Sequence, residues 1–214
     1  MPQRRKEEVR ARIVGAAADL VAEVGYAAAT MQGVAARAET SIGNVYKYFA
    51  DKEALLEAVL PKAFARDLER MTKARIEALG TARDVRDLPR GATYHVLAGE
   101  LLDHCIAHRA RIAILFGRAE GTPFASFAPS FAGRLVGWAL DYAREAYPGF
   151  RPTSALRFTL TRVYLSFLAS IGAAFTTFSK ERDVREAVLH LTSHHQGGLN
   201  RLFEAAAPTM LGGK

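Results

Sequence analysis

Apolar residues recur every three or four positions along nearly the whole chain, which is the spacing of one face of an α-helix. The first such repeat runs through Val9, Ile13, Leu20 and Val24 and stops at Gly25, a residue type that commonly ends helices. Alternating runs of β-branched residues, which would indicate strands, are missing from the sequence. Half of the 214 residues are hydrophobic, enough for a sizeable core. The sequence therefore predicts an all-α fold.

Capping and helix-breaking residues divide this pattern into about nine helices. Thr30, Ser41 and Asp51 are of the residue types that cap helix N-termini, and Pro61 is expected to bend a long fourth helix. The predicted helices cover residues up to 24, 31–38, 41–49, 51–79, 90–108, 109–119, 128–147, 153–178 and 183–206. We expect a three-helix N-terminal unit followed by a larger C-terminal helical bundle.

The net charge of +7 suggests a nucleic-acid partner, but its distribution does not support that inference by itself. Residues 1–60 contain eight Lys or Arg and eight Asp or Glu, so the excess lies entirely in residues 61–214. The first twelve residues hold five basic and two acidic groups. A role in DNA binding therefore depends on that short basic segment and on a specific motif.

The stretch "TSIGNVYKYF", Thr40 to Phe49, follows the short second helix after a brief turn, which is the spacing of a helix-turn-helix. The second helix of such a unit enters the major groove with its N-terminal residues facing base edges. Ser41 offers a hydroxyl, and Gly43 permits close approach of the backbone. Ile42 can contact a thymine methyl group, and Asn44 can bond adenine at N6 and N7.

Tyr46, Lys47 and Tyr48 follow within one helical turn, where phenol and ammonium groups can reach phosphates. Lys52 and Thr30 lie at the starts of neighbouring helices, which are themselves sites suited to anions. The alternative is that this face is merely solvated, with Val45 and Phe49 in the core and one of the two tyrosines packed beside them. The combination of residues favours contact with DNA.

The segment "VGYAAATMQGVAARAETSIGNVYKYFADKEALLEAVL", Val24 to Leu60, resembles the DNA-binding region of tetracycline-repressor (TetR) family regulators. The resemblance includes a glycine-aromatic turn, "VAARA", and a small–x–Gly–x–x–Tyr–x–Tyr–Phe pattern. It implies a homodimeric transcriptional regulator, usually a repressor, which a small molecule releases from its double-stranded DNA operator. Residues 1–50 would form the helix-turn-helix domain and residues 51–214 the ligand-binding and dimerisation domain.

The resemblance also implies roles for individual residues. The family's phosphate contacts fall on Thr30, Tyr46, Tyr48 and Lys52, its base-proximal positions fall on Ser41, Ile42, Gly43 and Asn44, and Lys47 lies beside them. Two positions depart from the family pattern. Glu39 stands where glycine is frequent, and a left-handed backbone there would cost a non-glycine residue about 1 kcal/mol. Ile42 stands where a polar or basic side chain is common, so the resemblance does not define the operator sequence.

The resemblance implies dimerisation through the last two long helices. Val163 to Ser179 carries no charge, and its small residues permit close approach of another helix. These small residues are Ala169, Ser170, Gly172, Ala173 and Ala174. The alternative is an intramolecular core helix. The stretch is slightly short for a membrane span and contains Ser166 and Ser170, so we predict no membrane association.

A ligand cavity would lie among the middle helices, where bundle cores hold such sites. The aromatic residues concentrate there and suggest a largely apolar or aromatic effector, with His104, Tyr94 or Arg111 as polar anchors. The predicted ligand-binding residues are His104, Phe116, Phe124, Phe127, Phe131, Trp138, Tyr142 and Tyr164. The alternative is that these aromatic side chains only fill the core.

Two histidine pairs, His104 with His108 and His190 with His194, have the four-residue spacing of helical metal ligands. A site needs a third and a fourth ligand, so we predict no metal and no cofactor. Nucleotide-binding, nucleophile-elbow and metalloprotease motifs are missing from the sequence, and we predict no enzymatic activity. The remaining alternatives are a DNA-binding regulator without an effector and a helical metalloprotein or enzyme. The single Cys105 and the lack of a signal-type segment favour the cytoplasm.

Overall fold

The computed structural model describes residues 2–207, so residues 208–214 of the predicted second domain lie outside the described residues. Within that range the chain forms ten α-helices and no strand, which confirms the all-α prediction. The helices are α1 (Pro2–Val24), α2 (Met31–Arg37), α3 (Ile42–Tyr48), α4 (Lys52–Val59), α5 (Lys62–Glu77), α6 (Thr93–Ala107), α7 (Arg109–Ala113), α8 (Phe127–Ala146), α9 (Ser154–Thr177) and α10 (Glu181–Ala206). A short 3-10 turn covers Val85–Asp87, and α7 continues as a π-helical turn, Ile114–Arg118.

The three predicted N-caps begin α2, α3 and α4. The Thr30 hydroxyl accepts a hydrogen bond from the Gly33 amide at 3.0 Å. Ser41 does the same for the Asn44 amide at 3.2 Å, and the Asp51 carboxylate accepts from the Ala54 amide at 2.8 Å. Each cap satisfies one amide that would otherwise lack a partner at the helix start, so local sequence fixes where these short helices begin.

Pro61 breaks the predicted fourth helix instead of bending it. The α4 helix ends at Val59, Leu60 leaves the helical region with φ −120° and ψ 74°, and α5 starts at Lys62. Proline lacks the amide hydrogen that a continuous helix needs, and its ring disfavours a helical conformation at the preceding residue. The predicted helix over 51–79 is therefore two helices, which accounts for ten helices where about nine were expected.

The N-terminal helices pack around α1, whose Ile13, Ala17 and Val21 are buried. Val34 of α2 and Val45 of α3 enter the same core. The α4 helix also packs directly on α1 through buried leucine and valine side chains. One hydrophobic core continues from these helices into the C-terminal bundle, so the domain boundary at residue 50 stays a prediction.

The C-terminal bundle is built around α9, which packs against α7, the π-helical turn, α8 and α10. By length and composition α9 would also suit a membrane span, with 39% of its apolar stretch buried within the chain. Its contacts on several sides are those of a bundle helix. The α1 helix contacts α7 and the π-helical turn, so the N-terminal unit rests on the same turn that packs against α9.

Candidate functional site

The α3 helix is anchored on one side and open on the other. Val45 is fully buried and Phe49, just after the helix, is 4% exposed. Ile42 and Tyr46 remain 43% and 51% exposed although both are large apolar or aromatic residues. Lys47 is exposed on the same short helix. This arrangement leaves the predicted reading face in solvent while the opposite face fixes the position of the helix.

The Asn44 side chain is held in place by a hydrogen bond within the chain. Its amide nitrogen Nδ2 donates a hydrogen bond to the Thr40 hydroxyl at 2.8 Å. One Nδ2 hydrogen and the Oδ1 oxygen remain available, which are the two groups that a paired contact with adenine uses. The threonine four residues before the asparagine is visible in the motif, but this spacing alone does not predict the hydrogen bond.

The two tyrosines of α3 have different environments. Tyr48 is half-buried against the core, whereas Tyr46 points into solvent. Tyr48 also lines a shallow groove with Lys6 and Arg10 of α1. The short basic segment at the start of the chain therefore lies on the first turns of α1, beside α3.

Thr30 and Lys52 line one small crevice together with Tyr26. The Lys52 ammonium lies 4.2 Å from the centre of the Tyr26 ring and donates to the Ala27 carbonyl at 3.4 Å. Burial lowers the pKa of Lys52 from its ordinary value. The neighbouring Asp51 carboxylate occupies the start of α4, so a phosphate there would depend on Lys52 and Thr30 more than on the helix amides.

The turn between α2 and α3 has a left-handed backbone at Glu39, the position where glycine is frequent among the proteins that this segment resembles. Glu39 has φ 50°, in the left-handed region that favours glycine. The Thr40 amide donates to the Ala35 carbonyl at 3.0 Å across this turn. The turn therefore keeps its geometry and accommodates a non-glycine residue at a local cost of about 1 kcal/mol.

The sequence profile of "Bacterial regulatory proteins, tetR family" matches residues 13–59, which run from α1 to the end of α4. Residues 13–59 therefore carry the sequence pattern of the tetR family. An uncharacterised HTH-type transcriptional regulator of Mycobacterium tuberculosis is 34% identical over 102 residues, 44% of this chain and 52% of its own length. The HTH-type transcriptional repressor KstR of Rhodococcus jostii is 39% identical over 61 residues, 28% of this chain and 29% of its own length.

The chain thus spans about half, or less, of the length of the curated relatives it matches. Among solved structures, a tetR-family transcriptional regulator from Streptomyces coelicolor is 20% identical, with a TM-score of 0.41, over 95% of this chain and 91% of that chain. The matched sequence is the tetR-family N-terminal region, and the C-terminal bundle has to be read from its own residues.

A cavity of about 220 Å³ lies among α5, α6, α8, α9 and α10. Four of the eight predicted ligand-binding residues line it: Phe116, Phe131, Tyr142 and Tyr164. Tyr94, suggested as a polar anchor, lines it as well. The structure thus brings these five aromatic side chains from four different elements to one cavity.

The other predicted residues lie outside the lining. His104 stacks on Phe64 with ring centres 5.3 Å apart, and Arg111 lies over the same ring. Trp138 meets the edge of Phe131 at 6.2 Å, and Phe127 stacks on Phe131 at 5.4 Å. Phe124 is partly buried against the core. Trp138 and Phe127 therefore support a lining residue from behind.

One part of the cavity wall is polar, and sequence reasoning missed most of it. Arg75 of α5 donates from Nη2 to the Tyr94 hydroxyl at 2.7 Å. Gln196 of α10 donates from Nε2 to the same hydroxyl. His195 stacks on Phe167 with ring centres 4.1 Å apart, and burial lowers its pKa to about 4, with a further contribution from the Arg75 charge. The neutral His195 therefore lines the cavity as an uncharged polar group.

The histidine pairs do not assemble a metal site within residues 2–207, where no group of three or more His, Cys, Asp or Glu side chains could hold an ion. His104 and His108 pack edge to face at 4.8 Å and also contact Phe64. Cys105 lines the cavity, and burial raises the pKa of its thiol to about 12. These side chains therefore serve packing in this structure.

Proposed function

We propose that this protein is a ligand-responsive transcriptional repressor that binds a palindromic or pseudopalindromic DNA operator as a homodimer and is released by a small, largely apolar or aromatic effector. The observation that carries the proposal is the exposed face of α3, fixed from behind by Val45 and Phe49. A solvated helix has no need for an exposed isoleucine and tyrosine beside an oriented asparagine. A helix that enters the major groove uses all three.

Base reading is assigned to the start of α3. Ser41, Ile42 and Gly43 are exposed, and Thr40 orients the Asn44 amide. We propose that Asn44 bonds an adenine and that Ile42 contacts a thymine methyl group.

Phosphate binding is assigned to the residues around this face. Tyr46 and Lys47 extend from α3 into solvent, and Tyr48 lies beside Lys6 and Arg10 of α1. Thr30 and Lys52 form a second contact point at the starts of α2 and α4. Contacts of this kind set position and affinity without sequence information.

The homodimer is assigned to α9 and α10. Only 39% of the apolar stretch of α9 is buried within a single chain. Phe158 on α9 is 69% exposed and Leu189 on α10 is 58% exposed. A second copy packed against both helices would cover these side chains and set two half-sites about one helical turn apart on DNA.

The cavity supports effector control over a regulator without an effector, because a constitutive DNA-binding protein gains nothing from a space of about 220 Å³ in its bundle. Phe116 lines the cavity and belongs to the π-helical turn that contacts α1. A ligand that displaces Phe116 would thereby act on the N-terminal unit. The proposed role is binding without catalysis, in the cytoplasm.

The test is a gel shift with purified protein on DNA flanking its own gene, followed by selection from random sequences. We expect a shift that resists competitor DNA, weakens steeply with salt, and is lost in Tyr46→Ala. Ala63→Ser, at an exposed alanine on α5, is the control and should bind like the wild type. Failure to obtain a specific sequence from both experiments would refute the proposed function.

A further inference from the structure

Within residues 2–207 the lining of the cavity carries positive charge and no negative charge. Among the residues that line it are two arginines, Arg75 and Arg83, and no aspartate or glutamate. Arg83 is committed to the fold, because it donates to the Ala146 carbonyl at 2.8 Å and lies over the Tyr147 ring at 5.0 Å. Arg75 donates to the Tyr94 hydroxyl and lies over the Tyr94 ring at 5.2 Å, but it takes part in no ion pair of the described residues, and its Nε is buried there without a hydrogen-bond partner. A buried donor on a charged group costs stability unless something accepts from it.

Tyr94 adds a second donor at the same place. Its hydroxyl oxygen accepts from both Arg75 and Gln196, and the residue is only 4% exposed. A phenol that accepts two hydrogen bonds still has its own hydrogen to donate. Across residues 2–207 the Tyr94 hydroxyl donates to no acceptor. Arg75 and Tyr94 therefore present two donors that an acceptor within the cavity would satisfy.

His195 lies within the field of the same guanidinium. The Arg75 charge contributes to the low pKa of His195 and acts on the buried Tyr164 and Cys105 as well. The Nε2 atom of His195 is buried and has no hydrogen-bond partner among the described residues. The remaining lining is mostly leucine, isoleucine, phenylalanine and alanine. The site is thus an apolar chamber with one cationic, donor-rich wall.

We propose that the effector is an organic monocarboxylate, whose carboxylate binds Arg75 and the Tyr94 hydroxyl and whose apolar body fills the rest of the cavity. The proposal rests on the proposed function and names the ligand class of that same site. One guanidinium with a single unpaired donor favours one negative charge over two. A cavity of about 150 Å³ holds benzene, so about 220 Å³ suits an acid with one ring or a medium-length chain.

If Arg75 has only a structural role, its substitution should have a different effect on ligand selectivity. If Arg75 only ties α5 to α6 and α10 through Tyr94, its loss would lower stability and leave ligand selectivity unchanged. If it binds the ligand's charge, its loss would remove the preference for an acid over a neutral compound of the same shape. Selectivity therefore separates the two roles where stability alone would not.

The experiment measures the melting temperature of the full chain against phenylacetate and octanoate, each paired with its neutral amide. We expect an acid to bind about 10- to 100-fold more tightly than its amide, the range expected for hydrogen bonds to a charged group. Arg75→Gln should abolish this preference, and Arg83→Gln, at the committed arginine, should retain it. Arg75→Lys keeps the positive charge and should retain part of the preference for the acid. This variant shows whether a lost preference in Arg75→Gln comes from the missing charge or from a folding defect.

Equal potency of acid and amide on the wild type would overturn the proposal. So would an acid preference that survives in Arg75→Gln, or the absence of any acid-induced shift up to about 10 mM. The same acids are then added to the gel shift. An acid that stabilises the protein through Arg75 without releasing DNA would confirm the ligand class and refute effector-controlled release.

Discussion

At the scale of single residues, contacts with neighbouring residues determine which polar groups on the exposed face of α3 remain free to bind DNA. The Thr40 hydroxyl accepts one hydrogen of the Asn44 side-chain amide. The other hydrogen and Oδ1 stay free, and this hydrogen bond fixes their direction. An oriented side chain loses less conformational freedom when it binds a base than a mobile one does. This arrangement makes Asn44 a better candidate for reading sequence than its exposed neighbours Ser41 and Lys47.

Asn44→Ala should therefore relax the preference for one base pair in each half-site, at a cost of about 1–3 kcal/mol on the preferred sequence. Thr40→Val removes the acceptor while keeping the shape of the side chain and should reproduce part of this loss. Both effects can be measured by binding to operator variants that differ at single positions. If Asn44→Ala binds every variant with the wild-type ranking, Asn44 does not read a base.

His195 gives a prediction about acid sensitivity. Its pKa falls from 6.5 to about 4 on folding, so between these values the unfolded chain binds a proton that the folded chain does not. Stability contributed by the neutral ring is present above pH 6.5 and declines as the pH falls towards 4. The full contribution is up to about 3 kcal/mol.

His195→Phe keeps a ring on Phe167 and removes this titration. We expect the variant to lose less stability than the wild type between about pH 7 and pH 4.5, as measured by urea unfolding. His104 and His108, whose pKa values burial also lowers, titrate in both proteins and cancel in the difference. Parallel stability curves for the two proteins would contradict a buried neutral His195.

Sequence reasoning identified the residues of the α3 face but not their individual environments. It left open which of two tyrosines packs, because Tyr46 and Tyr48 are two positions apart on a helix that is buried on one side only. The structure shows that Tyr48 is the packed one. The bond between Asn44 and Thr40 depends on side-chain conformation, which residue spacing alone does not determine.

At the scale of elements, the capping residues predicted the starts of three helices correctly, whereas the predicted effect of Pro61 was wrong. Thr30, Ser41 and Asp51 act through hydrogen bonds three residues away, so the sequence predicted their positions directly. Pro61 was expected to bend a helix, yet the preceding Leu60 can leave the helical region because buried contacts hold α4 and α5 separately. Whether a proline bends or breaks a helix depends on tertiary packing.

The π-helical turn over Ile114–Arg118 lies where α9 comes very close. A Cβ atom added at Gly172 would lie 3.1 Å from the Cβ of Phe116 and 3.5 Å from its carbonyl carbon. Gly172→Ala should therefore displace this turn and lower the free energy of unfolding by about 1–3 kcal/mol. Urea unfolding measures the change.

The matched control is Gly137→Ala on α8, where no described residue lies within 4 Å of the added Cβ. That substitution should raise stability by about 0.5–1 kcal/mol, because alanine favours the helix over glycine. The opposite signs of the two changes test the packing directly. If Gly172→Ala were as stable as Gly137→Ala, the π-helical turn would accommodate the added Cβ without a loss of stability.

At the scale of the whole molecule, local signals predicted the N-terminal unit well and the cavity only in part. The motif is short and continuous, so its residues could be assigned from sequence. The polar wall of the cavity joins Arg75, Tyr94 and Gln196 from three helices far apart in the chain. The aromatic composition indicated a cavity, but the position of the charged side chain in its wall follows only from the packing of α5, α6 and α10.

The proposed dimer is also a property of the whole molecule, and α9 offers a direct test of it. Ala169 and Ala173 are exposed, lie four residues apart and belong to the uncharged stretch. A glutamate at either position would tolerate solvent in a monomer but would be buried without a partner between two copies. Ala173→Glu should weaken self-association by more than about 100-fold while leaving the fold intact.

Analytical ultracentrifugation would measure the association, and helical circular dichroism would confirm folding. Ala63→Glu, at an exposed alanine on α5, is the control and should associate like the wild type. Because each copy would then contact DNA alone, Ala173→Glu should also lose the gain in affinity that two linked half-sites provide. A dimeric Ala173→Glu would place the interface on another surface and leave the exposed Phe158 and Leu189 without an explanation.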